Sequence, residues 1–133
     1  MRFNDAADVQ KYIGGIFREA FADDEIGPRL RGTGIVLKFS FSEPDAVVVI
    51  DTVGATVTDG TGGAAPTAVM SLAADTGNAY WQGKVNLPLA MARGKIKVEG
   101  NIASLLKLAP LGKKLYPRYV QTLRRDGRHD LIV

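Results

Sequence analysis

The hydrophobic and polar positions of the first part of the chain follow the period of a helix. After Asp5, the apolar residues Val9, Ile13 and Phe17 recur at intervals of four, as on one face of an amphipathic helix. Asp5 stands at the position of an N-cap, where its carboxylate accepts a backbone hydrogen bond. The glycine pair at 14–15 weakens a helix by up to about 1 kcal/mol per residue, so we expect this helix to depend on packing against another element.

From residue 34 onward the pattern changes to an alternation of two, which indicates strands. In GIVLKFSF the residues Ile35, Leu37, Phe39 and Phe41 share one face of a predicted strand. Three further strands are predicted in AVVVIDTV, ATVTD and TAVMSLAA, and we expect all four to form a meander. The glycine-rich GTGGAAP before the last of them lacks the Gly-Lys-Ser/Thr ending of a phosphate-binding loop, so it is interpreted as a hairpin connection.

Capping residues and prolines divide the C-terminal half into short helices around a fifth strand. Asp75, Asn86 and Asn101 each stand at the start of a helical segment, as N-cap residues do. Between the second and third of these helices, KIKVE alternates as a strand does. Pro110 is expected to interrupt the third helix, and a last amphipathic helix is predicted to start near Pro117.

This order of elements predicts the fold class. Strands in a run followed by helices are typical of an α+β domain, so we expect a five-stranded, mainly antiparallel sheet with helices packed on one face. The length of 133 residues fits one domain that spans residues 1–133. The fractions of 46% hydrophobic and 23% charged residues are ordinary for a soluble globular protein.

The residue types that carry most catalytic and metal chemistry are scarce. The chain has no cysteine, which removes disulfides, thiolate nucleophiles and cysteine metal sites. Its single histidine, His129, lies in a polar tail, so no histidine-based metal site is expected. The carboxylates and serines stand in no nucleophile or acid–base motif, so we expect neither an enzyme nor a cofactor.

Targeting signals are not evident in the sequence. No apolar run approaches the about 20 residues that a membrane-spanning helix needs. The first residues, MRFNDAADVQ, lack the apolar segment of a secretory signal. A cytoplasmic location is therefore expected.

One segment carries a more specific pattern, NLPLAMARGKIKVEGNIASLLKL at residues 86–108. A short helix with Asn and Pro at its start and a central Ala leads to Gly-Lys, an alternating strand, Gly and a Leu-rich helix. This pattern resembles the sterol carrier protein type 2 family. The positions that carry the resemblance are Asn86, Pro88, Ala90, Gly94, Lys95, Ile96, Val98, Gly100 and the helix from Ile102. The chain departs from the family in Leu87 between Asn86 and Pro88, and in Ala92 and Arg93, where the family often has a bulkier apolar residue.

The resemblance implies a non-enzymatic carrier with an apolar cavity between the sheet and the C-terminal helices. Family members bind sterols, fatty acids, acyl-CoA and phospholipids with low discrimination, so a lipid is the expected partner. The candidates for lining such a cavity are Leu72, Trp81, Leu87, Met91, Ile96, Val98, Leu105, Leu106, Leu115 and Tyr116. For each of them, an ordinary place in the core is the alternative.

Basic residues concentrate at the C-terminal end. The net charge is +3, yet residues 101–133 carry seven basic residues against two acidic ones. Such a cluster either meets anionic groups or is a solvated helix face, and the sequence leaves both open. It lacks the interleaved exposed aromatic residues of a nucleic-acid stacking surface, so nucleic acid is not an expected partner. In a lipid carrier, the candidates for contact with a headgroup or an anionic membrane are Lys113, Lys114, Arg118, Arg124 and Arg125.

A second function stays open at this point. The domain could serve as an accessory module that presents or shields the substrate of a lipid- or steroid-degrading enzyme. The residues do not separate this role from that of a free carrier.

Overall fold

The computed structural model describes residues 3–61 and 65–133 of the chain, and it begins with a continuous helical run. The run consists of α1 (Ala6–Val9), a π-helical turn (Gln10–Gly14) and α2 (Gly15–Ala22). Asp5 caps α1, because its carboxylate accepts a hydrogen bond from the backbone N–H of Asp8 at 2.9 Å. The predicted helix and its N-cap are thus confirmed.

A short helix and five strands supply the rest of the framework. Their bounds are α3 (Ile26–Gly32), β1 (Val36–Ser42), β2 (Ala46–Asp51), β3 (Thr56–Thr58), β4 (Ala68–Ala73) and β5 (Ile96–Gly100). The strands form one sheet in the order β3-β2-β1-β4-β5. Three of the four pairings are antiparallel, and β1 pairs with β4 as a parallel strand. The prediction of an α+β fold with a five-stranded, mainly antiparallel sheet is confirmed.

The strand order differs from the predicted meander, because β4 pairs with β1 and not with β3. Once β2 occupies one edge of β1, the other edge is free for a later strand. Thr67 begins this pairing, since its N–H donates to the carbonyl of Val36 at 2.7 Å and its hydroxyl accepts from the Val36 N–H at 3.1 Å. GTGGAAP therefore belongs to a crossover and not to a hairpin, and residues 62–64 of it lie outside the described residues.

Alternation along the strands divides the sheet into a covered and an uncovered face. The covered face carries the buried apolar side chains Leu37, Phe39, Phe41, Ala46, Val48, Ile50, Ala68, Met70, Leu72 and Ile96. Their neighbours on the other face, such as Lys38, Ser40 and Ser71, are half-buried, and Lys97 is exposed. This confirms that the helices pack on one face of the sheet.

The glycine at the end of the π-helical turn allows this helical run to lie close to the sheet. A Cβ atom on Gly14 would approach a methyl group of Val57 in β3 to 3.2 Å, tighter than ordinary contacts between side chains. The expectation that the first helix depends on packing against another element agrees with this contact.

The C-terminal half contains four helices and a final 3₁₀ turn. Their bounds are α4 (Ala74–Tyr80), α5 (Leu87–Ala92), α6 (Ile102–Lys113), α7 (Tyr116–Arg125) and the 3₁₀ turn (His129–Leu131). Asn86 and Asn101 cap α5 and α6 as predicted, each accepting a backbone N–H at 3.0 Å. The prediction for Asp75 is wrong, because α4 follows β4 directly and Asp75 lies in its first turn.

Helix α6 continues through Pro110, where the sequence predicts an interruption. Pro110 has no N–H to donate to the carbonyl of Leu106, which normally weakens a helix. Here both residues lie on the solvent side, a position at which a carbonyl is open to hydrogen bonds from water. On the inner side Leu105, Leu108 and Gly112 are buried, and this packing holds the last turn of the helix in place.

A buried polar cluster attaches the C-terminal turn to α4. The side-chain amide nitrogens of Asn78 and Gln82 donate to the carbonyl of Leu131 at 2.7 and 2.8 Å. The hydroxyl of Tyr119 donates to the side-chain oxygen of Asn78 at 2.8 Å. Because buried polar groups are costly when they lack partners, the cluster fixes how α4, α7 and the turn meet.

Two substitutions in this cluster should lower the free energy of unfolding by different amounts. We expect Tyr119→Phe to lower the free energy of unfolding by about 1 kcal/mol, the value of one hydrogen bond. Asn78→Ala should cost about 3 kcal/mol, because it leaves the buried Tyr119 hydroxyl without an acceptor, removes the bond to the Leu131 carbonyl and opens a small cavity. Urea denaturation measures both. Tyr12→Phe is the control, since the Tyr12 hydroxyl donates to Asp126 near the surface and its loss should cost less. An Asn78→Ala variant as stable as the parent would contradict the role given to the buried polar cluster.

Candidate functional site

An apolar cavity of about 30 Å³ lies between the covered face of the sheet, α3 and α6. Fifteen described residues line it, and none of them is charged. They are Phe17, Ile26, Leu30, Leu37, Phe39, Met70, Tyr80, Trp81, Leu87, Leu105, Leu108, Ala109, Leu111, Gly112 and Leu115. A volume of this size holds about one water molecule. The lipid-sized cavity that the resemblance implies is therefore not open in this conformation.

The structure places the ten candidate lining residues in three kinds of position. Trp81, Leu87, Leu105 and Leu115 line the cavity. Tyr116 lies behind them, with its ring centroid 6.1 Å from that of Trp81. The other five do not line it: Leu72 and Ile96 are buried in the core, Met91 and Val98 pack half-buried against it, and Leu106 is 53% exposed.

Leu106 lies outside because of the direction in which α6 faces. The sequence suggests a stripe through Leu105 and Leu106 that ends at Pro110. Since the helix continues to Lys113, its inner face instead follows Leu105, Leu108 and Gly112 at intervals of three and four. In the sequence, Leu108 and Leu111 follow Leu105 at intervals of three, and the expected break at Pro110 concealed the part of this face beyond Pro110.

Five further lining residues that were not among the candidates come from the first third of the chain. Phe17 of α2 and Ile26 and Leu30 of α3 close one side of the cavity, and Leu37 and Phe39 of β1 form its floor. Their helical and alternating spacings are visible in the sequence. The spacings do not reveal that α3 packs across from α6, because this contact joins residues about 80 positions apart.

Trp81 is the centre of an aromatic cluster beside the cavity. It is 4% exposed, and its ring centroid lies 5.1 Å from that of Phe17 and 5.3 Å from that of Tyr80, both edge to face. A Cβ atom on Gly112 would lie 3.6 Å from the Trp81 ring, so α6 passes close over the indole. The single tryptophan of the chain therefore reports directly on the cavity and on the position of α6.

Polar groups in the cavity wall are few. Burial raises the pKa of the Tyr80 hydroxyl far above its ordinary value, and the neighbouring Tyr116 adds to this effect. Tyr80 therefore stays neutral at physiological pH, as does the indole N–H of Trp81. The wall therefore offers mainly apolar contact, and it contains no acid–base pair.

Two ion pairs tie the start of α3 to the junction of α6 and α7. One oxygen of Asp23 accepts the N–H groups of Glu25 and Ile26, both at 2.8 Å, and the other accepts from Arg118. Lys114 lies 3.1 Å from the carboxylate of Glu25. Glu25 and Lys114 are the chain neighbours of Ile26 and Leu115, which line the cavity, whereas Asp23 and Arg118 line a separate open depression of the surface.

The five candidate headgroup cations therefore differ in their surroundings. Lys114 and Arg118 are the cations of these two ion pairs. Arg125 lies 3.5 Å from its neighbour Asp126. Lys113 and Arg124 are exposed, and no ion pair among the described residues involves either.

A family model described as the SCP-2 sterol transfer family matches residues 16–113. The match covers the sheet, α6 and every lining residue of the cavity except Leu115. The chain belongs to the SCP-2 family. No curated protein gives a match to it.

Solved structures show the same fold as this SCP-2 domain. The solution structure of the sterol carrier protein domain 2 of Helicoverpa armigera is 23% identical with a TM-score of 0.68, covering 82% of this chain and 89% of that one. Apo sterol carrier protein 2 of Yarrowia lipolytica is 17% identical with a TM-score of 0.64, covering 78% and 89%. Palmitated sterol carrier protein 2-like 2 of Aedes aegypti is 22% identical with a TM-score of 0.60, covering 78% and 93%.

Family membership supports lipid binding and transfer as the general activity of this SCP-2 domain. Domains of this family are typically non-enzymatic lipid carriers, and the wall of the cavity contains no charged group. In the part of the chain that the structure describes, no helix combines the length and apolar character required to cross a membrane.

The ion pair of Asp23 should make stability depend on pH. Hydrogen bonds from the Ile26 N–H and from Arg118 lower the pKa of Asp23 to about 2, below its ordinary 3.8. Its ionised form therefore stabilises the folded state above about pH 4, and this contribution is lost as the pH falls towards 2. The difference in free energy of unfolding between the parent and Asp23→Asn should be largest above pH 4 and shrink at pH 2. Urea denaturation at several pH values measures this difference. Asp24→Asn is the control, because it makes the same change at the exposed neighbouring residue. A difference between the parent and Asp23→Asn that does not depend on pH would contradict the prediction.

Proposed function

We propose that this SCP-2 domain carries a single-chain lipid with an anionic head, such as a fatty acid or a fatty acyl-CoA. The tail lies in the cavity between the sheet and α6, and the head lies beside Lys114 and Arg118. The observation that carries the proposal is the combination of a wholly uncharged lining with two cations close to it in the chain: Lys114 directly precedes the lining residue Leu115, and Arg118 follows it by three residues. A fatty acid has the same division into an apolar tail and a charged head.

The energetics of such a tail favour exchange. Removing a sixteen-carbon chain from water gains on the order of 10 kcal/mol, at about 0.8 kcal/mol per CH₂ group. A bilayer gives nearly the same gain, so the step from membrane to cavity is close to neutral. A carrier of this kind needs few polar contacts along the tail, which agrees with the lining.

The cavity must open to hold a tail. Sites for lipid-sized ligands run to about 300–1,000 Å³, against about 30 Å³ here. Helix α6 contributes five of the fifteen lining residues and is held to α3 by the Lys114–Glu25 pair. Exposed ion pairs are worth about 0–1 kcal/mol, so this pair adds little to the cost of separating α6 from α3 at this end. Movement of α6 away from α3 is the opening that the proposal requires.

The head group then takes the place of the two acids. A carboxylate or phosphate near Lys114 and Arg118 forms the same charge-assisted hydrogen bonds that Glu25 and Asp23 form in the closed conformation. Exchange of one anion for another leaves both cations paired. In this proposal, Lys114 and Arg118 pair with Glu25 and Asp23 in the closed state without ligand, and they pair with the head group when the ligand is bound.

Filling the cavity should abolish binding of the tail. Ala109→Leu places three further carbon atoms in the cavity wall, so the affinity for a fluorescent polyunsaturated fatty acid should fall by at least about tenfold. Energy transfer from Trp81 to the fatty acid measures the affinity in solution. Ala103→Leu is the matched control, because it makes the same change on the exposed side of the same helix. Equal affinities of both variants and the parent would refute binding in this cavity.

The position of the head is tested with two ligands of equal length. Lys114→Gln/Arg118→Gln should lower the affinity for a sixteen-carbon fatty acid by at least about tenfold, because both charge-assisted contacts of the head are lost. The affinity of this variant for the corresponding fatty alcohol should not fall, because the head of the alcohol carries no charge. Arg124→Gln/Arg125→Gln removes two charges from the same region and should change neither affinity. A parallel loss for acid and alcohol in a folded variant would place the head elsewhere.

A further inference from the structure

The outer face of α6 is unusually apolar for an exposed helix. Five large apolar side chains are exposed among the described residues, and two of these lie one turn apart on α6. Ile102 is 42% and Leu106 is 53% exposed. Ala103 and Pro110, also exposed, continue the same side of the helix. We call Ile102, Ala103, Leu106 and Pro110 the outer stripe.

Single exposed apolar residues are common, and Val53, Leu89 and Val133 are of this kind, each on a different element. The outer stripe differs because the opposite side of α6 is apolar as well, where Leu105 and Leu108 line the cavity. A surface helix normally carries polar residues on its solvent side. A helix that is apolar on both sides indicates a second apolar environment on the outside.

The chain segment that carries the outer stripe has charges of one sign only. Residues 101–125 contain no acidic residue. Lys107 and Lys113 are exposed on α6 beside the stripe, and no ion pair among the described residues involves them. An apolar stripe flanked by unpaired lysines is complementary to an anionic phospholipid surface, which presents negative headgroups above an apolar interior.

We infer that the outer stripe of α6 is the surface by which this domain docks on an anionic phospholipid bilayer. Ile102 and Leu106 enter the boundary between headgroups and acyl chains, about 5–10 Å deep, while Lys107 and Lys113 contact the headgroups. This inference goes beyond the proposed function, because it needs no particular cargo. It places the bilayer against the same helix whose inner side closes the cavity, so docking and opening act on one element.

Vesicle binding tests the inference. Wild-type protein should co-sediment with vesicles of phosphatidylcholine and phosphatidylglycerol, and less with phosphatidylcholine alone. Ile102→Gln/Leu106→Gln should weaken binding by at least about tenfold. Lys107→Gln and Lys113→Gln should each weaken it by about fivefold at low salt and reduce its salt dependence. Val53→Gln is the matched control, an exposed apolar residue in the β2–β3 turn, and should bind as the parent does.

A single label locates the contact directly. Since the chain has no cysteine, Leu106→Cys carries one environment-sensitive fluorophore without further changes. Its emission should shift to the blue when the anionic vesicles are added, and a label at Val53→Cys should not shift. A shift at residue 53 alone, or no weakening in Ile102→Gln/Leu106→Gln, would overturn the inference.

Two further outcomes separate this inference from its alternatives. Ile102→Gln/Leu106→Gln should keep the solution affinity for the fatty acid, since both side chains lie outside the cavity. Loss of that affinity would assign the residues to the ligand site and overturn the docking surface, whereas failure of the proposed function alone would leave vesicle binding intact. A wild-type dimer that the double substitution dissociates would show that a second copy of the chain covers the stripe, and would also overturn it.

Discussion

The parallel pairing of β1 with β4 is the interaction on which the site depends. It sets Phe39 beside Met70 in register, and both side chains face the helices and line the cavity. Because β1 also pairs with β2, the strand at the centre of the sheet connects the two halves of the chain. Helices α2 and α3 then reach the covered face from one half, and α4 and α6 from the other. Without this pairing, nothing would hold α4 and α6 opposite β1, and the cavity would lack the residues that these helices contribute.

Local features of the fold follow from the sequence, and distant ones do not. The caps at Asp5, Asn86 and Asn101 depend on residues within three positions, so they can be predicted from the local sequence. The alternation that buries one face of each strand is equally local. The partner of β4 is not, because a strand edge is satisfied by any strand of suitable length and only the finished sheet selects β1. Pro110 shows the same limit, since tertiary packing on the inner face of α6 outweighs a helix-breaking residue.

The candidate site divides in a similar way. Of the six candidates within the segment that resembles the family, the structure places Leu87 and Leu105 at the cavity and the other four elsewhere. Ile26 and Leu30 come from a helix far away in sequence, and their contact with α6 depends on how two elements pack. The pairing of Asp23 with Arg118 likewise joins positions 95 residues apart. Charge counts find the basic end of the chain, but they do not show which cations already have acidic partners.

The origin of the lining in both halves of the chain has a consequence during synthesis. The residues from Phe17 to Phe39 emerge first, while the residues from Met70 to Leu115 are still to be made. Until β4 arrives, one edge of β1 lacks hydrogen-bond partners, and the apolar wall that it carries faces water. Unpaired edges beside exposed apolar surface are where partly folded chains associate wrongly. The surface that becomes a closed cavity in the finished protein is therefore the surface of the nascent chain most in need of protection.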